Sequence, residues 1–165
     1  MGSLFSGVEQ LLVTAEGFKS SESASDYGGL SKYGISQREY PSLDIANLTL
    51  NRALLILKVD YWDKYQIGNI NDQGIANQAF LIIINMDPIH AVKIIQTAVN
   101  ACGKNKVAVD GVAGTETFNA LNAIVPVAWL SDRMRVEAIR YHLTLTDQDK
   151  KQIPNFRGWA RRDLL

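Results

Sequence analysis

Between Gln73 and Asn85 the chain has apolar residues on nearly every side of a helix: Ile75, Ala76, Ala79, Phe80, Leu81, Ile82, Ile83 and Ile84. A helix of that kind offers water no face and belongs at the buried centre of a bundle. The β-branched run Ile82-Ile83-Ile84 also suits a strand, but the length of the segment and the start signal Asn71-Asp72 favour helix. No apolar run reaches the roughly 18 residues that a membrane span requires.

Amphipathic segments flank this one on both sides. Ser3 to Ala15 repeats Leu4, Phe5, Val8, Leu11, Leu12 and Ala15 at spacings of three and four, and Gly17 stops it. Leu48 to Tyr65 carries Leu50, Ala53, Leu54, Leu57 and Tyr61 on one stripe, with Thr49 or Asn47 as its cap. Asp87-Pro88 starts a helix through Ala91, Val92, Ile94, Ile95, Ala98 and Val99 that ends near Gly103. A turn-rich connection closes with Asp110-Gly111-Val112-Ala113-Gly114, and Thr115 is the expected cap of a short helix to Leu121. Pro126 opens a long helix from Val127 to about Leu145, with Trp129, Leu130, Met134, Ile139 and Leu143 expected inward. Pro154 interrupts, and Asn155 to Leu165 forms a terminal segment anchored by Phe156, Trp159 and Leu164. Residues 18–35 lack helical period and are rich in Ser and Gly, so they read as a loop or small irregular hairpin. The fold class is therefore all-α, with one irregular region near the front.

At 165 residues and 47% hydrophobic content, the chain suits one compact domain, or one with a small lobe. Met1 to Val13 has no basic start, contains Glu9 and lacks a long apolar stretch, so no ordinary export signal is expected there. The single cysteine, Cys102, excludes an internal disulfide and reads as a buried or half-buried thiol. Residues 1–83 hold six Lys/Arg against nine Asp/Glu, a balance of −3, and residues 84–165 hold eleven against eight, a balance of +3. The basic half, ending in Arg157, Arg161 and Arg162, suits either a solvated helix face or an anionic polymer such as a bacterial envelope.

The stretch with chemical potential runs from Glu16 to Ser36. Glu16 follows an apolar helix, where partial dryness and the negative end of the helix dipole favour its protonated form. A carboxyl raised in this way suits a general acid, although position alone favours an ordinary exposed Glu at a helix end. Asp26 precedes Tyr27-Gly28-Gly29, where glycines let the backbone turn and a ligand approach; alone it reads as a turn-initiating Asp. Two carboxylates in different environments are the equipment of glycoside hydrolysis. Ser31 could hold a water or a carboxylate, and Tyr33 could wall a cleft. Tyr61 and Trp62 suit either a sugar face or, by default, core packing. Asp110-Gly111-x-x-Gly114-Thr115 reads as a structural turn leading into a helix. His90 and His142 have no ligand spacing with each other or with Cys102, and there is no HExxH, phosphate loop or dinucleotide fingerprint. No metal or organic cofactor is expected.

Together these pieces resemble the lysozyme-like glycoside hydrolase family 108 of phage endolysins and some bacterial proteins. The first carrier is Glu16-Gly17-Phe18, and the second is Asp26-Tyr27-Gly28-Gly29-Leu30-Ser31-Lys32-Tyr33-Gly34-Ile35. Tyr61-Trp62-Asp63 follows where the family places a Tyr-Trp pair. Asn77-Gln78-Ala79-Phe80, Val109 to Thr117 and Phe156-Arg157-Gly158-Trp159-x-Arg161-Arg162 resemble the family's associated peptidoglycan-binding region. Phe18 stands directly after Gly17 where the family often has a second glycine, and Ser31 replaces the usual Thr, keeping the hydroxyl without the rotamer-restricting methyl.

The resemblance implies an endo-acting muramidase that cleaves the β-1,4 bond between N-acetylmuramic acid and N-acetylglucosamine. It assigns Glu16 as general acid, Asp26 as second carboxylate and Ser31 as its assistant, with Gly29, Tyr33, Tyr61, Trp62 and Gln78 as substrate contacts. It also implies a lysozyme-like catalytic region over 1–86 and a helical peptidoglycan-binding-like region over 87–165, packed as one compact unit. Peptidoglycan is the expected partner, reached after release from the cytoplasm by a monomer with no nucleic-acid partner and no stable membrane insertion. The alternative is a non-catalytic cell-wall-binding or secretion accessory protein.

Overall fold

The computed structural model describes residues 2–14 and 30–163. Glu16, Asp26 and Gly29 lie outside the described residues, as do Ala15, Gly17 and Leu164. Among the described residues the fold is all-α, with seven α-helices and one two-stranded hairpin. The chain divides into two compact units, one of Leu4–Lys64 and one of Tyr65–Leu165 together with Met1–Ser3.

In the Leu4–Lys64 unit, α1 spans Phe5–Thr14 and buries Val8 and Leu12, one helical turn apart. Leu4, expected on that stripe, precedes the helix and is 67% exposed. The hairpin pairs β1 (Ser31–Lys32) with β2 (Ile35–Ser36), antiparallel. Helix α2 covers Leu50–Leu57 and starts at Thr49, whose side chain accepts the Arg52 N–H at 3.4 Å. Ala53, Leu54 and Leu57 are its buried face. The helix then widens into a π-helical segment, Lys58–Asp63. That change of pitch places the consecutive residues Tyr61 and Trp62 both inside, which a regular amphipathic helix rarely does. Phe5 meets Trp62 edge to face, with ring centroids 5.6 Å apart.

The second unit begins where Gln66 takes a left-handed φ of 51° and ends the preceding segment. Helix α3 (Gln73–Asn85) is the apolar helix of the sequence, capped by Asp72, which accepts the Ile75 N–H at 2.9 Å. Eight of its residues, from Ile75 to Ile83, are buried, as a central helix requires. Around it pack α4 (Pro88–Cys102), α6 (Val127–Gln148) and α7 (Ile153–Asp163), with α5 (Thr115–Asn122) against α4. The Asp87-Pro88 start and the Gly103 stop of α4 fall where the sequence places them.

Three expectations change. Thr115 is the first residue of α5 and not its cap; Gly114 holds the cap position and makes no side-chain bond. Pro154 does not interrupt, because it lies in the first turn of α7, where its missing N–H costs nothing. On α6, Trp129 and Leu143 point outward, 64% and 45% exposed. The buried stripe is instead Leu130, Met134, Ala138, His142 and Thr146, a strict step of four. Two polar members, His142 and Thr146, disguise it in the sequence. His142 is buried and stacks on Trp159 of α7, with centroids 4.9 Å apart.

Candidate active site

The described part of the site is the hairpin and the segment that follows it. A two-residue turn joins the strands: Tyr33 and Gly34 both take positive φ, 54° and 74°. Positive φ at both central positions marks a hairpin turn whose twist matches the strands it joins. Glycine is at home there; Tyr33 is not, and its side chain is held in return. The Lys32 ammonium lies 5.6 Å from the Tyr33 ring centroid and donates to the Ala46 carbonyl at 2.9 Å. Ser31 faces Ser36 across the ladder, half-buried, while Ile35 is buried. Ser31 and Tyr33 are thus brought together on one tight hairpin, five and seven residues after Asp26.

Beyond the hairpin, the Gln37 N–H donates to the Leu30 carbonyl at 2.8 Å and closes its base. The Gln37 amide Nε2 lies 3.0 Å from the carbonyls of Tyr40, Pro41 and Leu43, which folds that loop back on itself. Two tyrosine–carboxylate bonds then tie the loop to the π-helical segment. The Tyr40 hydroxyl donates to Asp60 Oδ2 at 2.8 Å, and the Tyr61 hydroxyl donates to Glu39 Oε1. Burial first, and the carboxylate acceptors second, push both phenols well above their ordinary range. Both phenols therefore stay protonated donors at any physiological pH.

Tyr40, Glu39 and Asp60 are residues that sequence reasoning missed. Their partners lie 20 and 22 positions away, beyond the reach of periodicity or turn rules. Burial favours core packing, the default of the two readings of Tyr61 and Trp62. At 7% and 5% exposure, their rings fill the interior and have little surface for a sugar. Gln78 is buried on α3, and its amide donates to the Ser131 carbonyl at 3.0 Å, an anchor within the helical unit.

Asp110-Gly111-x-x-Gly114 is built as a structural turn. Gln96, 1% exposed on α4, accepts the Gly111 N–H at 2.9 Å. Its amide nitrogen lies 2.8 Å from Asp110 Oδ1 and 3.2 Å from the Val112 carbonyl. The Val112 N–H, followed by Gln96, holds the Asp110 carboxyl below its usual range. Gly111 sits at φ 84°, and a β-carbon there would come within 2.7 Å of Ile89 Cγ2. Among the described residues no group of three or more His, Cys, Asp or Glu side chains is placed to hold a metal ion.

The family model of glycosyl hydrolase 108 matches residues 10–86. The chain carries a glycosyl hydrolase 108 domain. The match includes Glu16, Asp26, the hairpin and the π-helical Tyr61-Trp62. A second model, described as a predicted peptidoglycan domain, matches residues 90–164. No curated protein matches the chain. Among solved structures, SagA of Brucella abortus is similar in fold, with a TM-score of 0.69 at 20% identity, covering 97% of this chain and 93% of that one. The glycosyl hydrolase 108 domain makes the protein a glycoside hydrolase, and the peptidoglycan domain beside it makes peptidoglycan its substrate and partner. The border between the two matches does not coincide with the border between the compact units. Helix α3 belongs to the glycosyl hydrolase 108 match yet packs with α4, α6 and α7.

Proposed function

We propose that the protein is a muramidase that cleaves the β-1,4 bond between N-acetylmuramic acid and N-acetylglucosamine. Glu16 is the general acid that protonates the departing glycosidic oxygen. Asp26 is the second carboxylate, acting on a water or on positive charge developing at the ring. Ser31 assists it, and Gly29 and Tyr33 contact the sugar from the loop and the hairpin turn. The observation that carries this reading is the glycosyl hydrolase 108 match over 10–86, which includes both acids and the hairpin, followed by a peptidoglycan domain. The hairpin supports it: a catalytic hydroxyl has to be positioned, and the Tyr33-Gly34 turn with its Lys32 tether holds Ser31 in place.

Tyr61 and Trp62 act as packing within the Leu4–Lys64 unit, and Gln78 within the helical unit. The catalytic region spans 1–86 and the wall-binding region 87–165. The protein works on the cell wall, outside the cytoplasm; no described helix is long and apolar enough to cross a membrane.

Glu16→Gln tests the assignment. Loss of a general acid lowers the rate by about 10²–10⁴-fold. Mass spectrometry of the digested muropeptides identifies the bond that breaks, and the circular dichroism spectrum checks the fold. A variant that clears purified peptidoglycan at close to the wild-type rate, with its fold intact, overturns the role of Glu16.

A further inference from the structure

Trp129 is the one tryptophan of the peptidoglycan-domain match whose ring the bundle leaves out. It sits in the first turn of α6 and is 64% exposed, although a large aromatic side chain usually gains from burial. Beside it in the chain are Val125, 83% exposed, and Val127, 42% exposed. The end of α4 adjoins the same spot: the Cys102 thiol lies 3.4 Å from the Trp129 carbonyl, and a β-carbon on Gly103 would come 3.4 Å from Ile124 Cγ1. Exposed Lys104 follows two residues after Cys102. Large apolar side chains left exposed close together in the chain are the kind of surface that takes part in interactions.

We infer that Trp129, together with the exposed Val125 and Lys104 of the two segments that meet at Cys102, is the platform on which the second domain seats the glycan strand of peptidoglycan. The inference rests on peptidoglycan being the ligand. The chemistry suits that occupant. A pyranose ring presents an apolar C–H face that stacks on an indole, and the N-acetyl methyl groups suit the valines. The stem-peptide carboxylates give the polymer negative charge, which complements Lys104 and the +3 balance of residues 84–165. A flat aromatic at a helix start, without a deep pocket, fits a long polymer that must be held and released along its length.

The test uses the full-length protein and purified sacculi at 4 °C, with retention measured by co-sedimentation. Trp129→Ala weakens retention by about tenfold, Trp129→Tyr keeps it within about twofold, and Lys104→Glu weakens it in a way that added salt masks. Leu143→Ala, which removes another outward apolar group farther along α6, leaves retention unchanged. Thermal melts confirm that each variant is folded. Retention of Trp129→Ala at the wild-type level, equal loss with Leu143→Ala, or a Trp129-dependent dimer in sedimentation velocity overturns the inference. The two readings fail separately. Wild-type protein that is retained yet releases no reducing ends removes the muramidase reading. Wild-type protein that releases them while Trp129→Ala is still retained removes this one.

Discussion

The two compact units are held together by different means. The Tyr65–Leu165 unit is an apolar bundle around α3, where whole faces of Ile, Leu, Ala and Val are buried. The Leu4–Lys64 unit has short helices, a two-by-two hairpin and a long loop, and named hydrogen bonds do much of the ordering: the Gln37 amide, Tyr40 to Asp60 and Tyr61 to Glu39. Dispersed apolar burial tolerates small changes gracefully, because many contacts share the work. A loop held by a few directed bonds gives accurate placement of side chains but loses it when one bond goes. The unit that carries Ser31 and Tyr33 is the one built for placement.

The contrast can be broken most directly at Phe80, which is fully buried at the centre of α3. Phe80→Ala should cost about 3–5 kcal/mol of unfolding free energy by urea titration. A loss below about 1 kcal/mol would mean that α3 is not the centre of the bundle. Next is Gln96→Leu, which keeps the side-chain volume but takes the acceptor from Gly111 and the donor from Asp110. It should cost about 1–3 kcal/mol. A change near zero would mean that the turn holds without its buried amide.

The smallest expected effect sharpens the comparison from the other side. Tyr61→Phe removes one hydroxyl and leaves Glu39 without that donor, at about 0.5–1.5 kcal/mol near neutral pH. The phenol's folded pKa is raised above its unfolded value of about 10, so its contribution is fully present below pH 10 and is lost as pH rises beyond it. Wild-type stability should therefore fall more steeply than that of Tyr61→Phe above pH 10, as followed by denaturant midpoints. Parallel curves would show that the bond is not coupled to folding. If the directed bonds place the site, this variant should also lose more hydrolytic rate than stability.

What the sequence made legible follows the same division. The α3 and α4 boundaries could be read because caps and apolar period agree there: Asp72 and Asp87 accept N–H bonds where expected, and Gly103 stops α4. An apolar period through Trp129 and Leu143 points the wrong way, because the true stripe passes through the polar His142 and Thr146. The burial of Tyr61 and Trp62 agrees with core packing as their default reading, while the π-helical turn that puts both inside is announced by no local residue pattern. A small hairpin within residues 18–35 is among the readings the sequence offers, but its turn position and its lock, Lys32 on Ala46, depend on backbone geometry and a contact 14 residues away. Glu16, Asp26 and Gly29 were singled out by residue pattern and family resemblance, and they fall outside the described residues.

Helix α3 matters beyond its own packing, because the catalytic family match claims it and the neighbouring bundle encloses it. These halves are not interchangeable cassettes. A recombination event that joined a foreign hydrolase at residue 87 would deprive the wall-binding half of its central rod and leave a greasy hole, whereas a crossover after Lys64 would carry the rod along. A seam that keeps the bundle whole lies after Lys64, which the family border does not mark.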